Sequence, residues 1–66
     1  MNAFYIRIGT KVKWNDPAIE DFEEEERELQ KSRVYEVVDI INEDAVLLED
    51  EFGEVEAYVH ELSFVE

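Results

Sequence analysis

From Val34 onward the chain is a succession of short β-branched and aromatic runs separated by turn-forming residues, a pattern that admits few folds other than a small antiparallel sheet. Val34-Tyr35-Glu36-Val37-Val38-Asp39-Ile40-Ile41 carries β-branched residues on both parities and predicts a central strand. Its inward set is Tyr35, Val37 and, after a local bulge, Ile40, because strict alternation would bury the Asp39 carboxylate. Asn42-Glu43-Asp44 predicts a turn, and residues 45–51 a third strand with Val46 and Leu48 on one face. Phe52-Gly53 turns the chain again. Residues 54–59 then alternate, with Val55, Ala57 and Val59 opposite Glu54, Glu56 and Tyr58. His60-Glu61-Leu62 reads as a one-turn connection, and residues 63–65 as a last strand that pairs with the first.

The first strand is read upstream. Phe4, Ile6 and Ile8 alternate with Tyr5 and Arg7, and Val12 and Trp14 with Lys11 and Lys13, with Gly9 marking a bend between the two pieces. Asn15-Asp16-Pro17 ends it. Asp16 followed by Pro17 is a helix-start signal, and Ile19, Phe22 and Leu29 fall close to one helical face. Acids crowd the early turns and Arg27 and Lys31 the last, as the helix dipole favours, and Glu23 stands four residues before Arg27. The spacing predicts a short helix within residues 17–31, although the run Glu23-Glu24-Glu25-Glu26 repels itself. Five short strands in a chain of 66 residues favour a closed or nearly closed small barrel, which hides its sheet edges.

A chain of this length is expected to make one domain, spanning residues 1–66. It has no cysteine, so neither disulfides nor thiolate zinc braces the core, in keeping with a reducing cytoplasm. The high net charge raises the question of disorder, but Leu, Ile, Val and Phe make up about a third of the residues, well above the disordered range. The opening Met-Asn-Ala-Phe-Tyr lacks the basic start and apolar run of a signal peptide, and no stretch is long and apolar enough to span a membrane. The expectation is a cytoplasmic protein that does not engage membranes.

The formal charge of −13 is partitioned along the chain. Residues 1–14 carry +3, residues 15–33 carry −5, and residues 34–66 contain eleven acids and neither Lys nor Arg. Such a surface repels a phosphate backbone, which excludes conventional DNA or RNA binding. It attracts a basic partner and speeds encounter with it, the more so at low salt. The plainest role of the same carboxylates is to keep a small domain soluble and monomeric.

Gly9-x-x-Val12-x-Trp14, a long insertion, then Tyr35-x-Val37-x-x-Ile40, Val46-x-Leu48-x-Asp50-x-x-Gly53 and Glu61-Leu62 resembles the strand order of small SH3-like barrels. The segment Trp14-Asn15-Asp16-Pro17-Ala18-Ile19-Glu20-Asp21-Phe22 is similar to one in short bacterial proteins of uncharacterised function. The resemblance implies a mainly β domain, a five-stranded SH3-like barrel with one short helix between its first and second strands. It implies little about activity, since such barrels serve unrelated functions. The Ala-Leu-Tyr-Asp-Tyr opening and the Trp-Trp pair of proline-peptide-binding SH3 domains are absent. In such barrels the loop after the first strand often contacts a ligand, and here that loop is the acidic segment 16–32.

Catalytic constellations fail on inventory. There is no Cys and one His, and the hydroxyl candidates are Ser32, Ser63 and Thr10, which leaves no supported nucleophile. Paired carboxylates abound, but acid–base work needs an enclosing cleft that a domain this small rarely provides. Two glycines 44 positions apart make no phosphate loop. Glu49-Asp50-Glu51-Phe52-Gly53-Glu54 sets four carboxylates around a turn, but the spacing is not that of a calcium loop, so only weak screening by cations is expected and no metal or cofactor is assigned. Trp14, Tyr35, Phe52 and Tyr58 have the composition of an aromatic cage for a lysine, against which stands the need of a small core for its large side chains.

The reading that remains is a noncatalytic acidic interaction module that contacts a basic protein. Its expected contact residues are Asp16, Glu20, Asp21, Glu23, Glu24, Glu25, Glu26 and Glu28, with Trp14 and Tyr58 beside them. The alternatives are a nucleic-acid mimic that occupies a DNA- or RNA-binding protein, and a stand-alone structural domain.

Overall fold

The computed structural model describes residues 2–65. Among these, five strands form one antiparallel sheet: β1 (Lys11–Trp14), β2 (Tyr35–Asn42), β3 (Ala45–Asp50), β4 (Gly53–Tyr58) and β5 (Leu62–Phe64). Their spatial order is β4-β3-β2-β1-β5. Helix α1 (Glu24–Ser32) lies between β1 and β2, as the sequence predicts, and 3-10 turns occupy Ala3–Tyr5, Ile19–Asp21 and Val59–Glu61. The protein is mainly β. The sheet is open, with β4 and β5 as its edges, so the expected barrel closure is not seen. β5, three residues long, pairs along Val12–Trp14 of β1, and β4 pairs with β3, so the two edge strands do not bond each other.

Val12, Val37, Val46 and Leu48 are fully shielded from solvent, and Ala3, Ile6, Tyr35, Ala57 and Val59 complete the core. Each such aliphatic side chain contributes about 1.5–3 kcal/mol by leaving water. The inward face of β2 follows the sequence reading. Val37 faces Leu48, the register then slips, and Asp39 and Ile40 face Leu47 and Val46. The bulge keeps Asp39 exposed and packs Ile40 against the core, and the Asp39 carboxylate accepts the Ile40 N–H at 2.8 Å. Two tight turns join β2 to β3 and β3 to β4. In each, an Asx side chain accepts an N–H two residues on, Asn42 from Asp44 at 2.8 Å and Asp50 from Phe52 at 2.9 Å. Gly53 closes the second turn at φ +141°, where a side chain would be strained.

Two local expectations are corrected and one holds. Residues 4–8 do not extend β1: Asn2 Oδ1 accepts the Phe4 N–H at 2.8 Å and starts a 3-10 turn, which buries Ala3 and Ile6 but leaves Tyr5 and Ile8 outside. The bend at Gly9 is real, with φ +95° and an N–H bond to the Val37 carbonyl at 2.7 Å. The helix does not start at Pro17. Asp16 Oδ1 accepts the Ala18 N–H at 2.9 Å in an Asx turn, but it caps no helix: a 3-10 turn follows over Ile19–Asp21 with no side-chain cap, and α1 begins afresh at Glu24.

The later start changes the helix phase. Ile19 and Phe22 therefore share no helical face with Leu29, which is 62% exposed, and the residue α1 buries is Gln30. The expected Glu23–Arg27 pair is replaced by a hydrogen bond from Arg27 Nε to the Phe22 carbonyl at 3.2 Å. Among the described residues the ion pairs are Lys11–Glu36 and Arg33–Asp50. No helix of the described residues is long and apolar enough to cross a membrane.

Candidate functional site

α1 is held over the end of β1 by a polar contact. The Gln30 side chain is buried, and its Nε2 donates to Tyr35 Oη at 3.2 Å and to the Trp14 carbonyl at 3.4 Å. Nothing in the apolar periodicity singles out Gln30, since its value lies in hydrogen bonds to the start of β2 and the end of β1. Tyr35 fills the core beneath it, and the Trp14 ring meets the Tyr35 ring edge-on, centroids 5.9 Å apart. Trp14 is half-buried and donates its indole N–H to Glu61 Oε1 at 3.2 Å.

On this frame the segment between β1 and β2 forms one wall of a groove. Trp14, Asp16, Phe22, Glu26 and Leu29 line a depression whose floor includes Tyr35 and Arg33. A second depression runs from Leu29 and Val34 to Phe52 at the β3–β4 turn. A third joins Trp14 and Tyr35 to Phe52, Gly53 and Glu54. Arg33 borders all three. Its guanidinium lies 5.1 Å from the centroid of the Phe52 ring and 3.5 Å from Asp50 Oδ2. Because the Asp50 side chain is only 10% exposed, this pair is screened less than a surface one and fixes the Arg33 head group and the Phe52 ring together.

The sequence-predicted residues distribute unevenly around this groove. Trp14, Asp16 and Glu26 share the first depression. Glu24, Glu25 and Glu28 border a shallow apolar surface with Leu29 and Ser32 on the outer side of α1. Glu20 and Asp21 lie on the preceding 3-10 turn and Glu23 at the helix start, all exposed. Tyr58 stands apart. It is stacked on His60 with centroids 5.8 Å apart and lines a different depression with Ile41, Asn42 and Glu56. Trp14, Tyr35 and Phe52 line one depression without Tyr58, and Tyr35 fills the core with Trp14 packed against it, as the demand of a small core for its large side chains leads one to expect. Arg33, Asp50 and Leu29 are groove residues that the sequence does not mark as contacts, whereas Phe52 is marked by its aromatic ring and Asp50 only by the acidic turn 49–54.

A second charged feature crosses the other face of the sheet. Glu36 pairs across strands with Glu49, and Glu49 with Glu54, so three carboxylates stand in a row from β2 to β4. Lys11 ends the row, its Nζ 2.6 Å from Glu36 Oε1. Among the described residues no group of His, Asp or Glu is arranged to hold a metal ion. The groove thus combines an apolar trough, the Arg33 guanidinium paired with Asp50, and solvated carboxylates along the rim. Comparisons with protein-family models, with curated proteins and with solved structures find no match.

Proposed function

We propose that the protein is a noncatalytic interaction module that contacts a basic protein partner through the acidic surface of residues 16–28 and the aromatic groove beside it. The observation that carries this reading is the convergence of Trp14, Asp16 and Glu26 on one depression, with the remaining acids of the segment solvated next to it. A cation approaching this surface meets carboxylates at the rim and aromatic faces within, the two groups that attract it most. In this reading the domain works as a cytoplasmic monomer.

The fold that goes with it is SH3-like. The strand order β4-β3-β2-β1-β5, the long insertion after the first strand and the 3-10 turn before the last strand support that reading. The test is to replace Glu23, Glu24, Glu25 and Glu26 together with Gln and repeat affinity capture from the cells that express the protein. Loss of basic partners is expected, and an unchanged set would remove the segment as the contact. The carboxylate row Glu36–Glu49–Glu54 favours one second reading, a nucleic-acid mimic. Displacement of the captured partner by duplex DNA would select it over the first.

A further inference from the structure

We infer that the trough between α1 and the β3–β4 turn docks an apolar side chain presented by a Lys/Arg-rich segment of the partner. This inference rests on the interaction-module reading and names the partner's chemistry. Leu29, Val34 and Phe52 are 62%, 43% and 75% exposed and line the same depression. Scattered apolar residues on a surface need no explanation, but these three line one depression, with Ser32, Arg33, Asp50 and Glu51 completing its lining.

Charge identifies what covers it. Glu51 lies on the trough, and Glu25 and Glu28 border the surface that continues from it at Leu29. Among the described residues the one cation in the trough, Arg33, is already matched by Asp50 at 3.5 Å and by the Phe52 ring. A second copy of this acidic chain would set like charges against this rim, and an acidic or neutral segment would leave the carboxylates unmatched. A segment with an aliphatic or aromatic anchor flanked by Lys and Arg satisfies both parts: the anchor enters between Leu29 and Phe52, and the flanking cations meet Glu28 and Glu51. The Arg33–Asp50 contact holds the Phe52 wall in place beforehand, which reduces what binding must order.

The probe is a synthetic peptide in which Lys and Arg flank one central Phe, compared with the same peptide carrying Ala at the centre. Each is titrated into isotope-labelled full-length protein and followed by amide chemical shifts. The Phe peptide is expected to shift amides of residues 29–34 and 50–53 saturably and to bind about tenfold more tightly than the Ala peptide, the effect of one anchored aromatic side chain. Leu29→Ala and Phe52→Ala, both at exposed positions that the fold tolerates, reduce the Phe peptide to the level of the Ala peptide. Equal binding of the two peptides, shifts centred on the Tyr58 depression, or unchanged binding by both variants overturns the trough. If either result comes with binding that the Glu23–Glu26 Gln variant weakens, the acidic-segment reading survives. If neither peptide binds in a salt-sensitive way, both fall.

Discussion

The Trp14 indole N–H and the Glu61 carboxylate meet at 3.2 Å across 47 positions of sequence, joining the end of the first strand to the 3-10 turn before the last. The same Glu61 Oε1 accepts the Tyr58 N–H at 3.0 Å, and the Glu61 backbone carbonyl accepts the Asn15 N–H at 2.8 Å. One residue thereby fixes the short strand β5 beside β1 and orients the indole that lines the groove. An acid in a charge-rich chain here has a structural task.

Glu61→Ala removes the acceptor from both N–H groups and should destabilise the fold by about 1–3 kcal/mol. In a domain of this size each kcal/mol lowers the melting temperature by roughly 4–8 °C. Glu61→Gln keeps an acceptor oxygen and should lose clearly less. Thermal unfolding followed by circular dichroism checks the order of the three proteins, and equal midpoints for the Ala variant and the parent would deny Glu61 this role.

The Gln30–Tyr35 contact makes a prediction about additivity. Gln30→Ala leaves the buried Tyr35 hydroxyl without its partner and Tyr35→Phe leaves the Gln30 side chain with the Trp14 carbonyl alone, whereas the double variant removes both sides of the Gln30–Tyr35 contact and loses the Trp14 bond only once. The double variant should therefore be less destabilised than the sum of the singles, by about 0.5–1.5 kcal/mol. Denaturant unfolding of the four proteins measures that coupling. Strict additivity would mean that the hydrogen bond does not hold α1 to the sheet.

The carboxylate row makes a prediction about salt. Glu49 stands directly between Glu36 and Glu54, and like charges opposite one another on a sheet destabilise it. Added sodium chloride screens this repulsion, so the melting temperature should rise with salt near neutral pH. Glu49→Lys replaces two repulsions by two attractions, and should raise the midpoint at low salt by about 5 °C while flattening its salt dependence. A midpoint that falls steadily with salt would instead assign net stabilisation to ion pairs such as Lys11–Glu36.

The sheet was legible where burial alone decides it. Tyr35, Val37, Val46, Leu48 and Ala57 face inward as alternation requires, and the bulge that spares Asp39 follows from the cost of burying a carboxylate. Residues 4–8 misled because Phe4, Ile6 and Ile8 keep strand alternation, while a hydrogen bond that the preceding Asn2 side chain accepts from the Phe4 N–H outweighs it locally. The helix misled for a related reason. Asp16 and Pro17 do start a turn, but the four-glutamate run places the true start where exposed acids face the positive end of α1, and the buried residue becomes Gln30.

The groove itself was half visible. Trp14, Asp16, Glu26 and Phe52 are marked by charge or aromaticity, but Phe52 and Asp50 come to Trp14 only through the pairing of β3 with β2 and β4, and Arg33 from the end of α1. Tyr58 shared their chemistry and not their place, because its strand position points it toward His60 on another part of the surface.

Trp14 is the sole tryptophan and lines the proposed contact, so its fluorescence reports directly on whether that contact is used. Titration of the protein with a captured basic partner should give a saturable change in emission, with an affinity that falls as salt rises and that the Glu23–Glu26 Gln variant weakens. A partner that binds with full affinity while Trp14 emission and the response of the Gln variant stay unchanged would contradict recognition through this surface.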